Sequence, residues 1–185
     1  MNKIESLNAE KKLEIEHFDK KYIVKVRQNC QNSKLRNIYF RLIHNDFFTR
    51  EKMKKYKMVD SDECERCNES ETTRHLMWEC PHVKIIWNSY NRIMLLTKNE
   101  DDTVKTYQDI FKPCNRQSTN IIKLQTIKSL IQITRPKNWT EENVFAMFKE
   151  IIDIERYNYK LKRKEDKFKS KWTHIINALN MINCT

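Results

Sequence analysis

Cys64, Cys67, His75 and Cys80 stand in the spacing C-x2-C-x7-H-x4-C. Two cysteines so close can hold one ion from a single tight turn, with backbone N–H groups aimed at their sulfurs. A His on a short helical turn and a Cys five residues later complete a tetrahedron. Three thiolates and one imidazole suit a single Zn²⁺ in a closed structural site, where four protein ligands leave no position for a reactive water. The knuckle needs a residue tolerant of the left-handed region after the second cysteine. In a chain with no glycine, Asn68 is the best choice. His82, two residues past Cys80, falls inside the helix that Pro81 begins and competes poorly as a ligand. Cys30, Cys114 and Cys184 have no partners at ligand spacing and read as buried or incidental thiols. Three crowded and three scattered cysteines suit a metal site in a reducing compartment better than a disulfide framework.

The elements that must position these ligands are helical. Leu35, Ile38, Tyr39, Leu42 and Ile43 recur at helical spacing, and Asn45-Asp46 ends that helix. Thr49 caps a short helix over 50–57, with Glu51 in its first turn. Residues 58–74 are polar and loop-like, and 75–80 form a short helical turn. Pro81 suits the first position of a helix whose apolar face is Val83, Ile86, Trp87, Tyr90 and Met94. A linker follows at 97–102, then a short helix with Val104, Tyr107 and Phe111, then a second loop at 113–119. Ile121, Leu124, Ile127 and Ile131 mark a helix stopped by Arg135-Pro136. Thr140, with Glu141 and Glu142, caps the next, whose stripe is Val144, Phe148, Ile151 and Ile152. Phe168, Trp172, Ile175, Ile176 and Leu179 form the last stripe. The stretch Tyr22–Val26 reads equally as helix or strand.

The expected fold is all-α: a small helical domain organised around a CCHC zinc knuckle, followed by a C-terminal helical segment. Its divisions are 1–33, of uncertain structure; 34–97, the zinc-binding domain; 98–118, a linker with a short helix; and 119–185, basic helices. Average usage predicts roughly 13 glycines in a chain of this length, and there are none. That absence excludes the P-loop, the dinucleotide fingerprint and the nucleophile elbow, which need backbone at positive φ or pressed against phosphate. No apolar run reaches membrane-spanning length and no secretory leader is visible, so the chain reads as intracellular, nuclear or cytoplasmic.

The cysteine–histidine set, with Glu71-Thr72 before the His, Leu76 after it, Pro81 after the last Cys and Trp87 beyond, resembles the zinc-binding domain near the C-terminus of reverse transcriptases of non-LTR (LINE-type) retrotransposons. The upstream Leu35–Asn45 and Thr49–Met53 are similar to the helices that precede the finger there. The resemblance is specific over 35–96, weaker over 119–176 and absent over 1–33. Asn68 stands where that family usually has Gly. The resemblance implies a region downstream of the polymerase that helps hold template RNA or target DNA during target-primed reverse transcription. The polymerase itself needs an aromatic-x-Asp-Asp turn holding Mg²⁺. The only adjacent aspartates, Asp101-Asp102, lie in a polar linker and read as solvated. The chain is thus expected to be non-catalytic, with RNA or DNA as partner and the upstream polymerase domain as a second one.

Charge locates the nucleic acid. The net charge is +11, but Asn, Lys and Ile supply a third of the chain and all have AT-rich codons, so only uneven clustering counts. Residues 20–57 carry net +10, residues 61–82 net −4 and residues 156–171 net +6. The finger is a poor match for phosphate and reads as a scaffold between basic flanks. Candidate backbone contacts are Lys25, Arg27, Lys34, Arg36, Lys52, Lys54, Lys55 and Lys57 on one side and Lys162, Arg163 and Lys164 on the other. The run at 52–57 is either such a face or merely solvated. Trp78 either stacks on a base or, the better-supported reading, packs over the knot. His44, on the last turn of its helix, suits the negative end of the dipole.

Overall fold

A helix needs an apolar stripe, a start and a stop, and nearly every element here shows all three in its residues. The structure is a computed structural model that describes residues 20–30, 32–132 and 138–183. The helices are α1 (Lys20–Asn29), α2 (Ser33–Ile43), α3 (Arg50–Lys55), α4 (Pro81–Leu96), α5 (Gln117–Ile131), α6 (Glu141–Leu161) and α7 (Glu165–Asn183). A π-turn at His75–Glu79 precedes α4, and 3₁₀ turns at Glu100–Asp102 and Tyr107–Phe111 precede α5. Among the described residues there is no strand, only an isolated bridge between Glu63 and Ser70. The all-α class therefore holds, and Tyr22–Val26 is helical. Residues 1–19, the Arg135-Pro136 stop and Cys184 lie outside the described residues.

The caps explain the starts. Asn32 Oδ1 accepts from the N–H of Lys34 at 2.9 Å. Thr49 Oγ1 accepts from that of Lys52 at 3.2 Å, and Thr140 Oγ1 from that of Asn143 at 3.3 Å. Each satisfies an N–H that has no partner within its helix. Pro81 opens α4, where its missing N–H costs nothing.

The stops are less usual. In four helices the chain closes with the paired 6→1 and 5→2 hydrogen bonds of a Schellman motif. In α4, Asn99 N–H reaches Met94 O and Lys98 N–H reaches Leu95 O. The same pair closes α2, α3 and α6 through Asp46 and Asn45, Met58 and Lys57, and Lys164 and Arg163. The motif wants glycine at positive φ. Here the residues are Asn45, Lys57, Lys98 and Arg163, at φ 49, 57, 55 and 53°. Each side chain carries the steric cost of that region.

Two sequence expectations change. Helix α5 starts inside the stretch read as a loop, and it is buried around most of its circumference, not along one stripe. It touches α1, α2, α4, α6 and α7, so it has no solvent side to mark. Asp102, read as solvated, is 5% exposed. Its carboxylate accepts from Asn115 N–H at 2.8 Å and from Thr119 Oγ1 at 3.0 Å. The wholly buried Lys123 donates to Asp109 O at 2.5 Å and Lys112 O at 2.8 Å. Burial pushes its ammonium below the usual lysine range. These bonds hold residues 99–116 against α5, and the buried apolar residues form one cluster from Val26 to Leu179.

Replacing Lys57 or Lys98 with Gly removes a β-carbon from positive φ. Each variant is expected to gain about 0.5–1 kcal/mol, net of the lost charge at a helix C-terminus. Lys98→Ile is expected to lose stability. Urea unfolding of the zinc-loaded protein checks all three.

Candidate metal centre

The first two ligands come from a knuckle. Asn68 N–H bonds to Cys64 O at 2.9 Å and Cys64 N–H to Glu69 O at 2.7 Å. Asn68 sits at φ 63°, as the missing glycine predicts. The N–H groups of Arg66 and Glu69 point at the sulfurs of Cys64 and Cys67. The third ligand is set by the Glu71-Thr72-Thr73 run. Thr72 Oγ1 accepts from His75 N–H at 3.0 Å and caps the His turn. Glu71 Oε1 accepts from Arg50 N–H at 3.0 Å, at the start of α3. Thr73 Oγ1 donates to Asn45 Oδ1 at 2.7 Å, at the end of α2. Three consecutive side chains thus tie the His turn to two helices.

The fourth ligand depends on the π-turn. On an α-helix, positions five apart differ by about 140° and face apart. Here Cys80 N–H bonds to His75 O at 3.0 Å, five residues back, so the turn is widened by one residue. Cys80 then leaves in extended geometry and becomes the N-cap of α4. Trp87 Nε1 donates to Met77 O at 2.7 Å and locks the turn onto that helix.

The four donor atoms lie within 4.8 Å of one another. Cys67 Sγ is 3.2 Å from His75 Nε2 and 3.9 Å from Cys80 Sγ. A tetrahedral zinc with bonds of about 2.3 Å to sulfur needs edges of about 3.6–3.8 Å. The sulfur–sulfur distance lies close to that edge, and Nε2, at the shorter distance, is the imidazole donor. Burial first of all, with Cys80 and Cys64 adding to it against the Glu69 N–H, pushes the Cys67 thiol up to about 11. Burial also keeps His75 neutral, below its ordinary range. Burial opposes ionisation of Cys64 too, but the N–H and guanidinium of Arg66 outweigh it and hold that thiol below its usual value.

Arg66 is the residue that spacing did not reveal. Its side chain and that of Glu71 are each 3% exposed, yet their closest approach is 3.9 Å. Beyond that long ion pair, the guanidinium lies beside the Cys64 sulfur, whose ionisation it favours. A Zn²⁺ held by three thiolates and one imidazole carries about −1, and that is the charge this guanidinium fits. Four ligands close the site, and the zinc is structural.

The remaining candidates are dispersed. His82 is not among the clustered donors. Trp78 is half-buried and packs against the core, beside the knot. His44 is the C-cap residue of α2, where its ring stands 4.2 Å from Phe40. Cys30 and Cys114 are buried. Lys52 turns inward, donating to Asn45 Oδ1 at 2.9 Å, Asn45 O at 2.5 Å and Phe47 O at 3.4 Å. Lys54 pairs with Asp62 at 2.7 Å and Lys25 donates to Asn115 Oδ1 at 2.7 Å. Arg27, Lys34, Lys55 and Lys57 are exposed and Arg36 is half-buried. Lys162, Arg163 and Lys164 are exposed in the turn between α6 and α7. No described helix is long and apolar enough to cross a membrane.

A knuckle, a π-turn and a proline-led helix converging on four soft donors define a helical zinc-binding domain. Residues 8–87 match the family described as zinc-binding in reverse transcriptase. The match begins at residue 8, so it corrects the expectation that the resemblance is absent over 1–33, and it includes α1. Nothing matches among curated proteins or among solved structures.

One zinc per chain is expected by native mass spectrometry, and Cys67→Ser or His75→Ala should abolish its retention. Arg66→Met leaves all four ligands intact. It is expected to weaken zinc about 10- to 100-fold, the usual effect of losing an outer-shell partner. Competition with a chromophoric chelator measures it.

Proposed function

We propose that the chain is a non-catalytic, nucleic-acid-binding accessory region of a non-LTR retrotransposon reverse transcriptase. In this reading it holds template RNA or target DNA during target-primed reverse transcription, in the nucleus, beside the upstream polymerase domain. The observation that carries it is the uneven charge around the knot. Residues 61–82 are net negative, whereas 20–57 and 156–171 are strongly positive. The closed zinc fixes the finger, and the flanking lysines and arginines meet phosphate. Lys52 serves the fold through Asn45, so the contacts fall to Lys25, Arg27, Lys34, Arg36, Lys54, Lys55 and Lys57 and to Lys162, Arg163 and Lys164. Phosphate contacts position a protein without reading sequence, so base preference is weak.

A second reading follows from Phe48, Tyr56 and Met58, all exposed apolar residues close to the knot in sequence. In that reading the domain is a zinc-organised protein-interaction module derived from a retroelement.

Neutralising about five phosphates gives a log–log salt slope of about −4 to −5 on duplex, and somewhat less on single strands. The zinc-loaded chain should show that slope by fluorescence anisotropy, and should neither extend a primer nor cut DNA with Mg²⁺. Binding that ignores salt would favour the interaction module, and Mg²⁺-dependent synthesis surviving repurification would overturn the non-catalytic role.

A further inference from the structure

A second concavity lies away from the zinc, and apart from Asn32 and Ser33 its lining residues fall outside the residues that match the family. It is a groove of about 590 Å³ where the α6–α7 turn faces the starts of α5 and α2. Lys162, Lys164, Lys167 and Lys171 line it, against one acid, Glu155. Lys162 and Lys164 flank Arg163, held at φ 53° by the closing motif of α6. That motif fixes the turn by Lys164 N–H to Tyr159 O at 2.9 Å, so the lysines stand on rigid backbone.

The floor is preorganised as well. Lys171 Nζ donates to Gln117 Oε1, on α5, and to Tyr159 Oη at 3.1 Å. The Tyr159 ring packs against Phe168, with centroids 5.9 Å apart. The ammonium is therefore held half-buried inside the groove instead of extended into water. The start of α2 is not the anion site, because Asn32 already accepts from the N–H groups of Lys34 and Leu35. The cations are the site. The lysine run at 54–57 belongs to a different place, beyond the other end of α2, a helix about 16 Å long.

We propose that this groove seats a single-stranded nucleic-acid backbone, with its phosphates on Lys162, Lys164 and Lys167 at the rim and Lys171 at the floor. The inference rests on the nucleic-acid reading above and names the surface that performs it. A concave basic channel tracks the backbone of one strand. The phosphates of a duplex lie on a wide convex cylinder and meet the rim lysines but not the floor. Four lysines against one carboxylate leave the groove net positive, and Glu155 sets a limit on its affinity.

The test uses the zinc-loaded full chain and a fluorescein-labelled 15-nucleotide single strand, as RNA and as DNA, beside the matching duplex. Replacing Lys162, Lys164 and Lys167 together with Gln is expected to lower single-strand affinity at least tenfold at moderate salt. The salt slope should fall by about two units, three contacts at about 0.7 each. Replacing Lys84, Lys98 and Lys105, exposed lysines outside both basic sets, with Gln removes equal charge and is expected to change affinity less than threefold. Lys171→Gln should weaken the single strand more than the duplex. All substituted rim lysines are exposed, and circular dichroism and zinc content verify that each variant folds. Independently, a strand carrying 4-thiouridine should photo-crosslink the parent within residues 155–171. If the parent binds but the groove triple binds like it, or crosslinks fall within 20–57 alone, the groove is wrong and the nucleic-acid function stands. If the parent binds no nucleic acid, both fall.

Discussion

Three thiols and an imidazole within 4.8 Å of one another cannot all become ligands unless positive charge meets them there. The metal supplies most of it, and the buried Arg66 guanidinium stands ready for the remainder. This electrostatic closure sets the rest of the finger. Glu71 lies buried at the edge of the same site and binds the start of α3. Thr73 binds Asn45, which also receives Lys52, and so fixes the end of α2. Through one short run of side chains, the site that attracts a cation also decides how two helices leave it.

The sequence revealed the ligands because their spacing is local and their chemistry rare. It revealed Asn68, Thr49, Pro81 and Thr140 for a similar reason: each acts on backbone within three or four residues of itself. What stayed hidden acts across the fold. Asp102 looks like part of a solvated acidic run until Asn115 and Thr119 are brought to it. Helix α5 is contacted from several sides, so no single stripe describes it. Arg66 reads as one more charged residue of a polar loop, since nothing in its neighbours announces that it will be 3% exposed. Lys52 sits in a lysine-rich run whose other members point elsewhere.

Charge is organised around the fold in two places instead of one face. One basic set accompanies α3 and the acidic finger, where Lys54 is already engaged by Asp62. The other rims a groove built by α5, α6 and α7. The finger packs through Leu76 and Met77 into the same core as the helices that build that groove. The family match ends at residue 87, within α4, whose buried face packs into that body.

The widened turn between His75 and Cys80 has a consequence for how this chain tolerates change in length. One residue beyond the α-helical repeat is what brings the fourth sulfur around to the other three donors. With the count unchanged, a return to α-helical hydrogen bonding would leave Cys80 about 140° around the axis from His75, whereas the same return with one residue fewer would set the two on one face at a spacing of four. Side chains there can vary within the demands of packing, as the half-buried Trp78 illustrates. Residue count and hydrogen-bond pattern are thus coupled across this interval, and a change in one calls for the matching change in the other.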